Sequence, residues 1–340
     1  MTLHLLVPER IDDPRRPSGG NVYDRRLAAG LAGRGWPVRE HRVGEAGPGE
    51  VLAGLPHGVL VLVDGLVAST SPDLVAASGR LRIAVLLHMP GSGPYEPAVL
   101  GAVHAVVTTS EWARRWVLDT VGVPAEQVHV AVPGVDAGVT ATGSAGGTRL
   151  LTVGPIVPAK GYDDLLVALA GLRDLEWHSR WVGAPDLAPS YADTLRERAR
   201  QLGVDDRIEL TGPLSPDDLD AVRAASDLVV APSRRESWGM ALAEGLARGL
   251  PAVATDVGGH PEALGTADDD SLPGALVPLD DPVALAGAVR TWLTDGDLRE
   301  RWRRAAAERA ARLGTWAETA ERVAGVLNRI APTPVRTGEG

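Results

Sequence analysis

Of the 34 basic residues in this chain, Lys160 is the one lysine, and it lies in the stretch TVGPIVPAKGYDD (152 to 164). Lysine carries a compact, strongly hydrated point charge, whereas arginine carries a planar fork suited to bidentate pairing. A composition rich in Ala, Gly, Leu, Val and Arg gives the plain account of rare lysine, and it also makes the survivor a candidate for a role. Two carboxylates stand out in DLVVAPSRRESWGMALAEGLARGLPAVATDVGG (227 to 259): Glu236 in a loop, and Glu244 on the second turn of a helix that begins near Gly239. This spacing lets both acids face one ligand, with its anionic part on the N–H groups of Gly239, Met240 and Ala241. Carboxylates accept hydrogen bonds from hydroxyls such as those of sugars and ribose. The competing reading is of ordinary glutamates favouring a helix start. His88 ends the apolar run RIAVLLH, where an imidazole points towards the mouth of a parallel sheet and can donate to a substrate oxygen or carry a proton. A purely structural hydrogen-bonding role is its alternative. Gly19 and Gly20 stand just ahead of a helix expected from about Val22 to Gly33, where they are either a plain turn or room for a ligand to approach the backbone.

Other patterns weigh less. The D-x-D matches are Asp218 with Asp220, Asp268 with Asp270, and Asp295 with Asp297. The first reads as a helix start capped by Ser215 and the others as polar loops, so no metal site is expected. GSGPYE (91 to 96) lacks the last glycine of a dinucleotide fingerprint. SEWARRWVLDTVG puts Trp112 and Trp116 on one face of a short helix with Arg114 and Arg115. At a net charge of −10, packed tryptophans beside solvated arginines are favoured over peripheral membrane contact.

Such residues need a frame. Strand-length apolar runs alternate with amphipathic helical segments along the chain, the pattern of βα units around parallel sheets. Six such runs lie between residues 3 and 133 and six between 149 and 279, separated by the small and polar GVDAGVTATGSAGGT (134 to 148). A length of 340 residues also favours two domains. The expected division is a first lobe over 1–143 joined by a helix at about 314–331, a second lobe over 148–313, and a flexible tail over 332–340. Ligands of such sheets bind beyond the carboxyl ends of the strands, which is where the singled-out residues lie. The absence of cysteine rules out a disulfide framework and thiolate chemistry, and with no visible secretory signal it fits a cytoplasmic enzyme. The acidic balance argues against nucleic-acid binding.

Taken in order, the glycine pair after the first strand, the histidine after the fourth, the VG…KG loop and ESWGMALAEGLARGLPAVATDVGGHPEAL resemble the retaining glycosyltransferases of family four, the glycosyltransferases group 1. The resemblance implies a GT-B architecture, α/β, with two Rossmann-like lobes whose parallel sheets face a central cleft, the first lobe binding the acceptor and the second the nucleotide-sugar donor. It implies catalytic roles for His88, Lys160 and Glu236. For donor binding it implies Gly19, Gly20, Asn21, Lys160, Arg234, Ser237, Trp238, Gly239, Met240, Ala241 and Glu244. Glu236 would hold sugar hydroxyls, Glu244 the ribose, and Lys160 the diphosphate, whose growing charge a positioned ammonium stabilises. The co-substrate would be a UDP-sugar or GDP-sugar, with no cofactor and no metal ion, in a bacterial cytoplasmic enzyme. Many family members have an arginine after the glycine of VG, and Pro155 stands there here; either Lys160 carries more of the charge, or Arg234 or Arg235 assists. The implied reaction is front-face displacement with retention. The alternatives are an epimerase, a phosphorylase, or a sugar-nucleotide or glycan-binding protein of the same architecture without transferase activity.

Overall fold

The computed structural model describes residues 2–332. The tail expected over 332–340 lies, from 333 on, outside the described residues. The chain divides into two compact units. One comprises the chain up to Ile11, Gly20–Gly134 and the chain from Trp316; the other comprises Asp12–Gly19 and Val135–Thr315. The boundary at 134 differs from the expected 143, and the reason is hydrogen bonding. The small residues of the connecting stretch are strapped to the second unit: the N–H of Ala141 donates to the Arg248 carbonyl at 2.9 Å, and Ser144 donates through its N–H at 2.5 Å and its hydroxyl at 2.7 Å to the carboxylate of Asp227.

In the first unit, strands β1 (Leu3–Pro8), β2 (Val38–Val43), β3 (Leu60–Asp64), β4 (Arg82–Leu87), β5 (Ala105–Thr108) and β6 (Val128–Val130) form one parallel sheet in the order β2-β1-β3-β4-β5-β6. Alternate residues of its central strands enter different cores, as a sheet covered on both faces requires. Val61 and Val63 join Val85 and Val106 on one face. Leu60 and Leu62 join Leu5, Leu27, Val323 and Leu327 on the other. The late helix Trp316–Ile330 thus completes the first core, with Thr319 donating to the carbonyl of Val132 at 2.8 Å.

The second unit repeats the theme with β7 (Arg149–Val153), β8 (His178–Val182), β9 (Ile208–Gly212), β10 (Leu228–Ala231), β11 (Ala252–Thr255) and β12 (Gly274–Val277), in the order β12-β11-β10-β7-β8-β9. Read from the far edge this is the doubly wound 3-2-1-4-5-6 pattern, in which the order of strand addition reverses between β7 and β10. Trp177, Trp181 and Trp292, each at most 1% exposed, fill its core with Tyr162, Leu165 and Leu169. Their indole N–H groups are satisfied by the Leu172 carbonyl, the Ser179 hydroxyl and the Gly147 carbonyl, as burial demands.

Candidate active site

The reversal between β7 and β10 opens a crevice at the carboxyl ends of those two strands, the place where an open α/β sheet receives its ligands. The loop after β7 ends in a short turn, Pro158–Lys160, and the loop after β10 carries Glu236. The two are neighbours. Lys160 Nζ donates to Glu236 Oε2 at 2.6 Å, with side chains 24% and 15% exposed. Burial works against the charge on Glu236, but the Lys160 ammonium, helped by the nearby His260 imidazole, outweighs it and holds the carboxyl below its usual range.

The position of Glu236 is set by a close backbone approach. The N–H of Gly259 donates to the Glu236 carbonyl at 3.0 Å. Gly258 has φ +57°, and a Cβ there would lie 1.6 Å from that same carbonyl oxygen, so this turn accepts no side chain. Ser237, Trp238 and Gly239 are buried along the loop, and Met240 and Ala241 open the helix Met240–Leu246. The Trp238 indole nitrogen is buried without a hydrogen-bond partner.

Arg234, expected to assist at the donor, has all three guanidinium nitrogens engaged by neighbouring side chains and backbone. Nε donates to Asp280 at 2.8 Å, Nη1 to Asp163 at 2.7 Å and to the Pro158 carbonyl at 2.9 Å, and Nη2 to Asp163 at 2.9 Å and Asp164 at 2.5 Å. With its main chain bonded to the Ala159 carbonyl at 2.8 Å, Arg234 braces the turn that presents Lys160. Arg235 is exposed.

Glu244 sits on the helix beyond the loop. Arg223 Nη2 donates to its Oε2, and Arg248 Nη1 donates to its main-chain carbonyl at 2.9 Å. Burial pushes the Glu244 carboxyl upward, and the two arginines only partly counter this. Sequence reasoning passed over both arginines, although 5% and 3% exposure make them the extreme case of charge placed inside.

In the first unit, His88 follows β4, and its Nε2 lies 2.8 Å from Asp24 Oδ1 and 3.3 Å from Asp64 Oδ2. Burial alone would depress the imidazole, yet the two carboxylates hold its pKa well above the ordinary histidine value. Asp64 terminates β3 and caps the next turn through the N–H groups of Leu66 and Val67. Asp24 lies on the apolar face of the helix Gly19–Gly33 beside Tyr23 and Leu27. Both acids were missed, although Asp64 ends an apolar strand as His88 does. These are the described residues whose ligand-type atoms approach closely enough to hold a cation, and the spacing is that of an imidazole N–H shared between two carboxylates.

The helix begins at Gly19, three residues earlier than expected, so Gly19, Gly20 and Asn21 form its first turn. A Cβ on Gly20 would come within 3.1 Å of His88 Cδ2. Room for the imidazole therefore accounts for this glycine. Of the D-x-D pairs, Asp218 bonds Ser215 and Asp220 pairs with Arg223 and Arg248, while Asp295 proves to be a helix N-cap instead of a loop residue. Trp116 packs against the first unit's core. Among the described residues, no helix is long and apolar enough to cross a membrane.

Residues 144–309 match the family model of the glycosyl transferases group 1. Over 180 residues the chain is 37% identical to a D-inositol 3-phosphate glycosyltransferase of Corynebacterium glutamicum, covering 52% of this chain and 42% of the relative. The chain spans about half the length of the curated relatives it matches. Among solved structures, a sucrose-phosphate synthase from Thermosynechococcus elongatus superposes with TM-score 0.77 at 19% identity, over 97% of this chain and 99% of that one. HepE from Anabaena, solved with UDP and glucose, gives 0.76 at 18% identity, over 96% and 99%. With two parallel six-stranded sheets, the chain has the GT-B fold, and residues 144–309 of its second unit match the glycosyl transferases group 1.

Proposed function

We propose that the chain is a retaining glycosyltransferase that moves a sugar from a nucleoside-diphosphate sugar to a hydroxyl acceptor, without a metal ion and by front-face displacement. The observation that carries this reading is the Lys160–Glu236 pair, 2.6 Å apart at the strand reversal of a doubly wound sheet. One ammonium and one carboxylate held together suit a ligand with diphosphate at one end and sugar hydroxyls at the other. In the step itself, the acceptor oxygen bonds to the anomeric carbon on the face from which the phosphate oxygen departs. The electron pair of the breaking bond goes to the diphosphate, beside Lys160, and the departing oxygen takes the acceptor's proton. Glu236 orients the sugar, Glu244 accepts from the ribose hydroxyls, and His88 orients or stabilises the reacting sugar. The name of the curated relatives and the UDP and glucose held by HepE support a nucleotide-sugar donor. A cytoplasmic setting accords with a chain that lacks cysteine.

The test is incubation of the protein with UDP-, GDP- and ADP-sugars and a panel of hydroxyl acceptors that includes phosphorylated cyclitols. Transfer with the donor's anomeric configuration kept, read by NMR on the fresh product, is the expected result. An inverted product overturns the mechanism. Donor binding with neither transfer nor hydrolysis favours a silent sugar-nucleotide-binding protein.

A further inference from the structure

Glu244 is asked by the proposed function to accept two ribose hydroxyls, which calls for its ionised form. Its side chain is only 26% exposed, and burial favours the neutral acid. The charges facing it come from three elements. Arg223 and Asp220 lie on the helix Pro216–Ala224, Arg248 follows Glu244's own helix, and Asp136 belongs to the connecting stretch. Arg223 is the one whose side chain reaches the carboxylate directly. Its Nη2 donates to Glu244 Oε2 while its Nη1 donates to Asp220 Oδ1 at 3.0 Å, so one planar fork fixes two acids. Arg248 completes the frame through Asp220 Oδ1 at 2.7 Å.

This arrangement is expensive. Both guanidinium groups are almost wholly buried, and the Nε of each has no hydrogen-bond partner. Apolar side chains of similar volume would join the two helices without that penalty. We propose that Arg223 is a positioning residue for nucleotide recognition, clamping the Glu244 carboxylate and aiming it at the ribose hydroxyls. The proposal rests on the donor-binding reading above and adds to it the residue that makes the second glutamate competent.

Isothermal titration of UDP, GDP and ADP, each beside its 2′,3′-dideoxy counterpart, tests this between about pH 6 and pH 8.5. Wild-type protein should prefer the ribose form of its best nucleotide by about tenfold or more, the scale of hydrogen bonds to a charged acceptor. Arg223→Met should lose most of that preference while binding the dideoxy form within about twofold of wild type, because the phosphate and base contacts remain. Whatever preference survives should fade as pH falls, since a carboxylate deprived of its cation is protonated at higher pH. Arg223→Lys should keep part of the preference, down by about threefold or more, because one ammonium cannot reproduce the two-acid fork. Equal losses for ribose and dideoxy forms, or a full ribose preference in either variant at every pH, would overturn the proposal and leave Arg223 a structural tie. If circular dichroism shows Arg223→Met unfolded, the lysine variant decides by the same criterion. Failure of the wild type to bind any of the three nucleotides sinks the donor-binding reading itself, and this proposal with it.

Discussion

Lys160 and Glu236 are each defined by the other, since removal of the ammonium leaves a partly buried carboxylate with one cation fewer. Lys160→Ala should lower turnover by roughly 10²- to 10³-fold, as deletion of a preorganised electrostatic donor does. Lys160→Arg should restore part of the rate, because the fork places its charge differently. The pH dependence follows with a definite sign. In the wild type the Glu236 carboxyl is held low, so its charge is present through the neutral range and lost only as pH falls through that depressed value. In Lys160→Ala that loss should move to higher pH, and donor affinity measured across a pH series should decline earlier on acidification. A variant whose turnover stays within about threefold of wild type would make the lone lysine a compositional accident. The two glutamates should also separate. Glu244→Ala weakens the free nucleoside diphosphate and the donor alike, whereas Glu236→Ala weakens chiefly the intact sugar donor, and equal losses of both ligands in both variants would contradict the assignment. At this scale the sequence singled out Lys160 and Glu236 in loops that follow strands, His88 just after β4, and Glu244 within a short helix. It was silent on their supports. Asp24 and Arg223 look like ordinary charged positions of amphipathic helices and Arg248 like a charged turn residue, and only packing shows that they point inward.

At the scale of the element, the loops after β7 and β10 are locked by contacts that involve no proposed ligand. Gly258→Ala would bring a methyl group onto the Glu236 carbonyl in a backbone conformation that alanine avoids. It should cut turnover by about a hundredfold through displacement of Glu236, the penalty of a misplacement near 1 Å, while circular dichroism stays close to wild type. Unchanged kinetics would show that the turn has slack. Arg234→Ala removes the brace from three carboxylates at once, Asp163, Asp164 and Asp280. Thermal melts should show destabilisation of about 1–2 kcal/mol, the partial exposure of the group limiting the loss, together with a fall in turnover through the Lys160 turn. A loss of activity with no loss of stability would return Arg234 to the ligand. All twelve strands were legible, the central ones most plainly, because parallel strands buried on both faces leave an unbroken hydrophobic signature that edge strands such as VREHRV do not carry. The helix start at Gly19 was not, since two glycines read as a turn until the His88 imidazole is seen packed against the second of them. The small and polar connecting stretch reads as a linker for lack of apolar residues, and only the structure shows the backbone hydrogen bonds that tie it to the second unit.

For the molecule as a whole, Asp220 and Asp268 stand in ion pairs, Asp218 bonds Ser215 and Asp295 caps a helix, while Lys160 is the cation proposed for the diphosphate. Treatment with EDTA should therefore leave transfer largely intact; complete loss restored by Mg²⁺ or Mn²⁺ would show that an ion takes part. A bound nucleoside diphosphate at about a hundred times its dissociation constant should raise stability by about 2.7 kcal/mol if it binds the native state alone, which a thermal shift series would register. The late helix Trp316–Ile330 has a further consequence, for synthesis. Its Ala320, Val323 and Leu327 finish a core begun by Leu3 and Leu5, so the first sheet stays open along one face while more than three hundred residues are translated. The second unit, whose strands all lie between Arg149 and Val277, has its whole sheet available earlier. On the ribosome the order of maturation is then the reverse of the order of synthesis for most of the chain: the part made first is the part that closes last.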